Sequence, residues 1–211
     1  HKYLAFLPAS AFVAAAKKFH KKVWVYSGGD FGTTILDDVV TFRLGGFHSK
    51  MNLNTFVMPS FINDPYDTII SKKWQPLSKK EKPTIGFVGN ADGSFSKWMK
   101  EALIYSKQTL NRLLKKDFSD NQVFFPSSNI RFKLLEKLRI SDKIDVDFIY
   151  RNKYRGGATT EAQKIKTTLE FYENIERNLF TFCLRGSGNF SVRFYETLMM
   201  GRIPVLIDTD V

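Results

Sequence analysis

The stretch that decides the fold is FTFCLRGSGNFSVRFYETLMMGRIPVLID, which spans residues 180–208. It begins with a short apolar segment, residues 180–184, and continues into a glycine-containing loop, residues 185–189. From residue 191 to residue 200 the apolar side chains recur at helical spacing, and residues 203–207 form a second apolar segment. Strand, loop, helix and strand in this order predict one βαβ unit of a parallel sheet.

The glycine loop and the start of the following helix point to a ligand. Ligands of open α/β sheets bind beyond the carboxyl ends of strands, where N–H groups of a glycine loop and a helix start suit an anion. Arg193 and Glu196 share one face of this helix, so the arginine can meet a phosphate and the carboxylate can accept hydrogen bonds from sugar hydroxyls. An intrahelical ion pair behind an ordinary tight turn would use the same residues. The spacing alone leaves both interpretations open.

Outside this stretch, apolar strand-like segments alternate with helix-like ones, which predicts an α/β protein with parallel sheets. Strands are expected at residues 22–27, 39–44, 55–58, 84–88, 123–125 and 147–150. Helices are expected over residues 3–16, 96–116, 130–138 and 167–177. A polar and basic segment with two prolines, SKKWQPLSKKEKP at residues 71–83, resembles an interdomain connection. We therefore expect two domains, residues 1–78 and 79–211.

The composition excludes several classes of protein. Hydrophobic residues make up 43% of the 211 residues and aromatic residues 15%, which is incompatible with a disordered chain. The single cysteine, Cys183, excludes an intramolecular disulfide and a cysteine-rich zinc site. No apolar run reaches the roughly 18 residues that a membrane span needs, and the lysines after residues 3–16 stand on the wrong side for a secretory signal.

The net charge of +11 raises the question of an anionic partner. The basic residues occur in short, dispersed groups, which favours ordinary surface charge. Without a helix-turn-helix, zinc-finger or RNP-type pattern, specific nucleic-acid binding has no support beyond charge. Part of the charge is expected to serve an anionic ligand, and the scattered lysines to offer a weak means of reaching an anionic membrane or glycan.

Residues 184–207 closely resemble the donor-site segment of the exostosin family of glycosyltransferases. That segment consists of an apolar strand, a glycine-containing loop, Arg-x-x-Glu and Gly-x-Ile-Pro-Val. The positions that match one by one are Arg193, Glu196, Gly201, Pro204 and Val205. Weaker similarity extends to residues 23–32, 55–59 and 84–89. In the first of these, Asp30 matches the family's Asp-Trp-Gly segment with Phe31 in place of Trp.

The resemblance implies a GT-B fold, in which two Rossmann-like domains face each other across a cleft. It also implies an inverting transfer from a nucleotide sugar, usually a UDP-sugar, to a glycan hydroxyl, without an obligatory metal or other cofactor. A full transferase of this kind continues past Val211, so the second domain is expected to be cut short. Short members of the family occur in bacteria and large viruses. The resemblance therefore implies a cytoplasmic enzyme that is at most peripheral to a membrane. A eukaryotic member would lie in the Golgi.

Candidate site residues come from the resemblance and from the counter-charges and N–H groups that this chain offers. The donor would be bound by Arg185, Gly186, Gly188, Asn189, Ser191, Arg193 and Glu196, with Arg151 and Arg155 as further counter-charges. Inversion needs a base that deprotonates the acceptor, and the best candidate is Asp30, at the tip of a strand. Weaker candidates for the base are Asp37, Asp38, Asp64 and His48.

Two other functions compete with this one. Asp208 and Asp210 follow an apolar strand, where GT-A glycosyltransferases carry an Asp-x-Asp metal site, so a metal-dependent transferase is the closest rival. Asp145 and Asp147 have the same spacing, which shows how little the bare pattern specifies. The third hypothesis is a basic binding module without catalytic activity, whose partner would be nucleic acid or an anionic glycan.

Overall fold

The computed structural model describes residues 11–34 and 39–211, and these form a mixed α/β protein with two parallel sheets. The described part of the first helix, α1, covers residues 11–18. The later helices are α2 (Phe95–Leu113), α3 (Ser127–Arg139), α4 (Glu161–Arg177) and α5 (Val192–Met199). The strands are β1 (Trp24–Ser27), β2 (Val40–Arg43), β3 (Thr55–Val57), β4 (Thr84–Asn90), β5 (Asp145–Arg151), β6 (Phe180–Cys183) and β7 (Ile203–Leu206). Short helical turns occur at His48–Lys50, Tyr66–Ile70 and Tyr154–Gly157.

The N-terminal sheet has three strands in the order β1-β2-β3, all parallel. All three strands were expected from the sequence, and they are confirmed. The carboxyl end of β2 is fixed by the side chain of Arg43, which is only 4% exposed. Its Nε donates to the carbonyl of Gly45, and its Nη2 forms an ion pair with Asp120 at 2.8 Å. Because Asp120 follows α2, this ion pair joins the N-terminal sheet to the second half of the chain.

The C-terminal sheet has four parallel strands in the order β5-β4-β6-β7. After β4 the chain adds β5 at one edge of this strand and then adds β6 at its other edge. The direction in which strands are added therefore reverses between β5 and β6. Only two residue pairs join these strands, Ile85 with Phe180 and Gly86 with Thr181. Beyond them the strands diverge towards their carboxyl ends. Such a reversal point is where open α/β sheets bind their ligands.

Most helices lie where their sequence patterns predict. The helix expected over residues 3–16 falls largely outside the described residues, and residues 11–16 of it are helical. Helix α4 begins six residues earlier than expected. Its start is fixed by a capping box, in which Thr160 accepts from the N–H of Gln163 and the Gln163 side chain reaches back.

The strand expected at residues 123–125 is wrong, because this segment is irregular. Phe124 contacts the rings of Trp98 and Tyr105 on α2, with centroids 5.6 and 5.3 Å away. Phe124 is therefore covered by a helix rather than by pairing in a sheet, while Val123 remains 61% exposed.

The main core lies between the C-terminal sheet and α3. Phe87 of β4, Phe182 of β6 and Leu135 of α3 have no exposed surface, and the rings of Phe87 and Phe182 meet edge to face at 5.9 Å. Within the described ranges, no helix has the length and apolarity to span a membrane.

Loops at the carboxyl ends of both sheets are hydrogen-bonded to one another. The N–H of Asn189 donates to the carbonyl of Asp30 at 2.8 Å, and the N–H of His48 donates to the carbonyl of Asp210 at 2.8 Å. Gly45 permits this approach, because a Cβ there would lie 2.3 Å from the carbonyl oxygen of Asn189. The two sheets are thus joined at the edge where ligand-binding loops are expected.

Candidate functional site

A cleft of about 640 Å³ lies at the carboxyl ends of β4 and β6, where the two strands diverge. One wall comes from α4 and α5, another from the start of α3, and the loop after β1 completes its margin. The cleft brings together most of the residues predicted from the sequence. These are Asp30, Arg151, Arg155, Gly186, Gly188, Ser191, Arg193 and Glu196. Arg185 and Asn189 are the two predicted residues that do not line it.

The glycine loop after β6 delivers the start of α5 to this cleft. Ser191 precedes the helix with an extended backbone, and its side chain makes no capping hydrogen bond. The first N–H groups of a helix have no partners within it, so the start of α5 offers donors to an anion. Gly186 has open space around it, since a Cβ there would meet no atom within 4 Å. A ligand can therefore approach the loop backbone closely.

Arg193 points into the gap between the diverging strands. Its Nη2 donates to the carbonyl of Val88 on β4 at 2.6 Å, and its Nη1 reaches the carbonyl of Phe182 on β6 at 3.5 Å. The guanidinium lies 4.3 Å from the ring centre of Phe87, while its Nε is buried and has no partner among the described residues. Arg193 thus holds β4 and β6 together while it lines the cleft. The sequence had predicted only the second role.

Arg131 of α3 makes a second bridge of the same kind, which sequence reasoning missed. Its Nη1 donates to the carbonyl of Asn90 at the end of β4, and its Nη2 donates to the carbonyl of Arg185 beyond β6 at 3.0 Å. Burial, reinforced by the like charge of Arg193, lowers the pKa of Arg131 to about 9. In the sequence Arg131 looked like surface charge, because nothing local distinguishes it from the exposed cations of α3.

Together, the two arginines place positive charge near the Phe87 ring, with guanidinium carbons 5.9 and 4.3 Å from its centre. Five of their ten guanidinium N–H groups donate to main-chain carbonyls, three from Arg131 and two from Arg193. Part of their effect on a ligand therefore comes from their electric field. A negatively charged ligand in the cleft would offset the repulsion between them.

Glu196 lies on the same face of α5 as Arg193, as its spacing predicts. It accepts a hydrogen bond from the hydroxyl of Tyr172 on α4 at 3.2 Å. Burial raises the pKa of Glu196 above its ordinary value, and the charge of Arg193 and the Tyr172 hydroxyl partly counter this rise. The same burial, together with the charge of Glu196, raises the pKa of Tyr172. The carboxylate is thus oriented and keeps acceptor capacity towards the cleft.

The start of α3 is a second helix N-terminus at the cleft, and the sequence did not reveal it. Ser127 and Ser128 line the cleft, and Ser128 contacts the Asn90 side chain through its hydroxyl. The N–H of Ser128 donates to Glu101 of α2 at 3.3 Å, while the other oxygen of this carboxylate is buried without a partner in the described ranges. Burial raises the pKa of Glu101. Two helix starts therefore border one space, and Glu101 already accepts from one of the first N–H groups of α3.

Asp30 lies at the margin of the cleft and is exposed. Its main-chain carbonyl accepts from Asn189, and its Cβ would be 3.0 Å from a Cβ added to Gly188. The glycine at position 188 therefore lets the Asp30 loop approach the loop after β6. This contact sets Asp30 beside the glycine loop and the start of α5.

Arg185 has a different environment from the one expected. It is 4% exposed, its guanidinium lies 3.8 Å from the ring centre of Phe125, and its Nε donates to the Thr209 hydroxyl at 3.1 Å. Burial lowers its pKa to about 10. Asn189 is 1% exposed, and its Nδ2 donates to the carbonyl of Phe31 at 3.3 Å. Both side chains hold the loop in position from behind the cleft.

Arg151 and Arg155 lie at the opposite wall. Arg151 donates to the carbonyl of Thr167 at 2.9 Å and pairs with Glu170 of α4, so its charge is partly neutralised. Arg155 has a left-handed backbone, with φ of +48°. Both line the cleft, as predicted.

The Asp-x-Asp pair after β7 lies at the junction between the sheets. Asp210 accepts from the N–H of Ser49 at 2.9 Å and from its hydroxyl at 2.5 Å, while Asp208 accepts from the N–H of Asp210 at 2.9 Å. In the parts of the chain that the structure describes, no group of three or more His, Cys, Asp or Glu side chains could hold a metal ion. Asp147 pairs with Arg177 at 2.6 Å.

The weaker candidates for a base are placed as follows. Asp64 begins the turn before Tyr66, where its carboxylate accepts from the N–H of Tyr66 at 2.9 Å. His48 begins a short helical turn, and its main-chain N–H donates to the carbonyl of Asp210. Asp37 and Asp38 lie outside the described residues.

Comparison of this chain with protein-family models, with curated proteins and with solved structures finds no match. Any function for the cleft is therefore inferred from its own geometry and from the sequence resemblance of residues 184–207.

Proposed function

We propose that this protein is an inverting glycosyltransferase of the GT-B type, built from two Rossmann-like units. It would transfer a sugar from a nucleotide sugar, a UDP-sugar first of all, to a hydroxyl group of a glycan. One observation carries the proposal: the Arg193–Glu196 helix, the glycine loop and the Asp30 loop meet in a single cleft. In the sequence, Asp30 and Arg193 are more than 160 residues apart.

The nucleotide diphosphate is placed against the start of α5. When the bond between the anomeric carbon and the phosphate oxygen breaks, its electron pair stays on the diphosphate. The N–H groups at Gly186 and at the start of α5, with the Ser191 hydroxyl, are the donors that can stabilise this charge. Arg131 and Arg193 lower the energy of the same charge from the base of the cleft. These contacts are fixed before reaction and need little reorganisation.

The remaining side chains of the cleft contact the donor sugar and the acceptor. Glu196, held by Tyr172, accepts hydrogen bonds from donor hydroxyls. The acceptor hydroxyl passes its proton to Asp30, and its oxygen forms the new bond on the face opposite the departing phosphate. Each step uses side chains that line the cleft, and none needs a metal ion.

A thermal-shift panel of UDP-, GDP- and CMP-sugars tests donor binding, each run with and without EDTA. We expect one class of nucleotide sugar to raise the melting temperature regardless of EDTA, and the shift to disappear in Glu196→Ala. The matched control is Glu161→Ala, which removes a 77% exposed carboxylate at the start of α4 and should keep the shift. A shift that strictly requires a divalent metal would favour the Asp208 and Asp210 alternative. Binding of oligonucleotides in place of every nucleotide sugar would refute the enzyme hypothesis.

Asp30→Asn tests the assignment of the base. Asp30 is exposed, so this substitution should leave stability and donor affinity unchanged while transfer falls by a factor on the order of 10² to 10⁴. Transfer is followed by nucleotide release with the acceptor present. Full activity of Asp30→Asn would show that another group removes the proton.

A further inference from the structure

The outward face of α2 carries a row of apolar side chains. None of the 19 residues of this helix is fully buried. Trp98 and Tyr105 on its inner side pack against Phe124. On the outer side the exposed fractions are 74% for Phe95, 40% for Met99, 66% for Leu103, 54% for Leu110 and 75% for Leu113, followed by 54% for Leu114. At 3.6 residues per turn these side chains fall within an arc of roughly 100°. Exposed Ser106 also falls within this arc, so the row has one polar interruption. An exposed apolar row of this kind marks an interaction surface.

The exposed charges beside this row are positive, while Asp92 before the helix and Asp117 after it are only partly exposed. Lys100 and Lys107 are exposed along one edge of it, and Lys115 and Lys116 are exposed at its C-terminal end. Glu101 is the only acidic residue of α2, and it lines the cleft on the other side of the helix. An apolar stripe bordered by lysines and free of carboxylates is complementary to an apolar layer beneath negative headgroups.

We propose that α2 is a membrane-binding helix, whose apolar row enters the interface of an anionic lipid surface while its lysines contact the headgroups. A second copy of the chain would bring lysine against lysine with no acidic partner on the face, which costs energy. A nucleic acid would use the lysines but not the row of Leu103 and Leu110. The anionic membrane is the partner that uses both sets of side chains.

Such binding would also place the cleft near the membrane. Asn90 at the end of β4 lines the cleft, and α2 begins at Phe95, five residues later. The inference itself does not depend on sugar transfer, because it concerns only the lipid contact.

Sedimentation with vesicles tests the proposal on the full chain. One set contains phosphatidylcholine alone, and the other contains phosphatidylcholine and phosphatidylserine in a two-to-one ratio. We expect binding to the anionic vesicles only, and weaker binding as the salt concentration rises. The double variant Lys100→Gln/Lys107→Gln should lose on the order of thirtyfold in affinity. Leu103→Asn/Leu110→Asn should lose on the order of a hundredfold, since both side chains would leave the lipid.

Matched controls separate a helix-specific contact from a general charge effect. Lys133→Gln/Lys137→Gln removes the same charge from exposed positions of α3, and Ile165→Asn alters a 63% exposed apolar residue of α4. Both should bind like the parent protein. Equal losses in the controls, or no binding to anionic vesicles, would overturn the proposal. So would a dimer in light scattering that Leu103→Asn/Leu110→Asn dissociates, because the partner would then be a second copy.

Discussion

Replacing Arg193 by alanine should destabilise the fold, and the structure gives a magnitude. The substitution leaves the Val88 carbonyl without the charged donor that now lies 2.6 Å away, at a cost of about 2 to 3 kcal/mol. It also removes the contact with the Phe87 ring at 4.3 Å, worth about 1 kcal/mol. Relief of the repulsion with Arg131 returns about 1 kcal/mol. We expect a net loss of about 2 to 3 kcal/mol.

Urea unfolding followed by circular dichroism measures this loss as a change in the midpoint at unchanged slope. For a chain of this size, it corresponds to a fall in melting temperature of roughly 5 to 10 °C. Arg139→Ala is the matched control, because Arg139 is 57% exposed and pairs with Glu136 on its own helix. The control should remain within about 0.5 kcal/mol of the parent protein. An Arg193→Ala protein equally close to the parent would refute the idea that Arg193 joins β4 to β6.

Two further substitutions test the junction and the acidic side of the cleft. Gly45→Ala should destabilise the protein by about 1 to 3 kcal/mol, because the new Cβ would lie 2.3 Å from the Asn189 carbonyl oxygen. Gly186→Ala is the control, since a Cβ at this position meets no atom within 4 Å. Equal urea midpoints for the two variants would contradict the close approach of the loops. Burial raises the pKa of Glu196 in the folded state, so the parent protein loses stability as pH rises from below 4.5 and this side chain ionises. Glu196→Gln has no carboxyl group here, so its stability relative to the parent should increase over the same pH range. Urea titrations across that range check this, and a difference independent of pH would contradict it.

The regular elements were largely predictable from local pattern. The apolar segments around Val25, Phe42 and Phe87 became strands, because short apolar runs bounded by turn residues suit a buried parallel sheet. The failure at residues 123–125 has the same origin. An apolar run predicts that Phe124 will pack against a neighbour, but it cannot show that this neighbour is α2 rather than a strand.

Roles within the cleft were less predictable. The position of Glu196 beside Arg193 could be predicted from its spacing, and Glu196 lines the cleft. Arg185 was predicted to line the cleft, but it lies behind the glycine loop. Arg131 was not predicted to line the cleft, but it does so from α3, whose cations were expected to be exposed. Their neighbours come from segments more than 50 residues apart, as the bond from Arg131 to the Arg185 carbonyl shows.

The sequence by itself determined the α/β class, the parallel strands and the glycine loop that precedes the Arg193 helix, because these follow from hydrophobic period and turn chemistry within short windows. Only the tertiary structure decided which charges share the cleft. That outcome depends on the strand order β5-β4-β6-β7, which opens a gap between β4 and β6 and draws Arg131 and Arg193 into it. Strand order is set by packing between distant segments. A buried arginine is stable where its N–H groups can donate to carbonyls that would otherwise be unpaired.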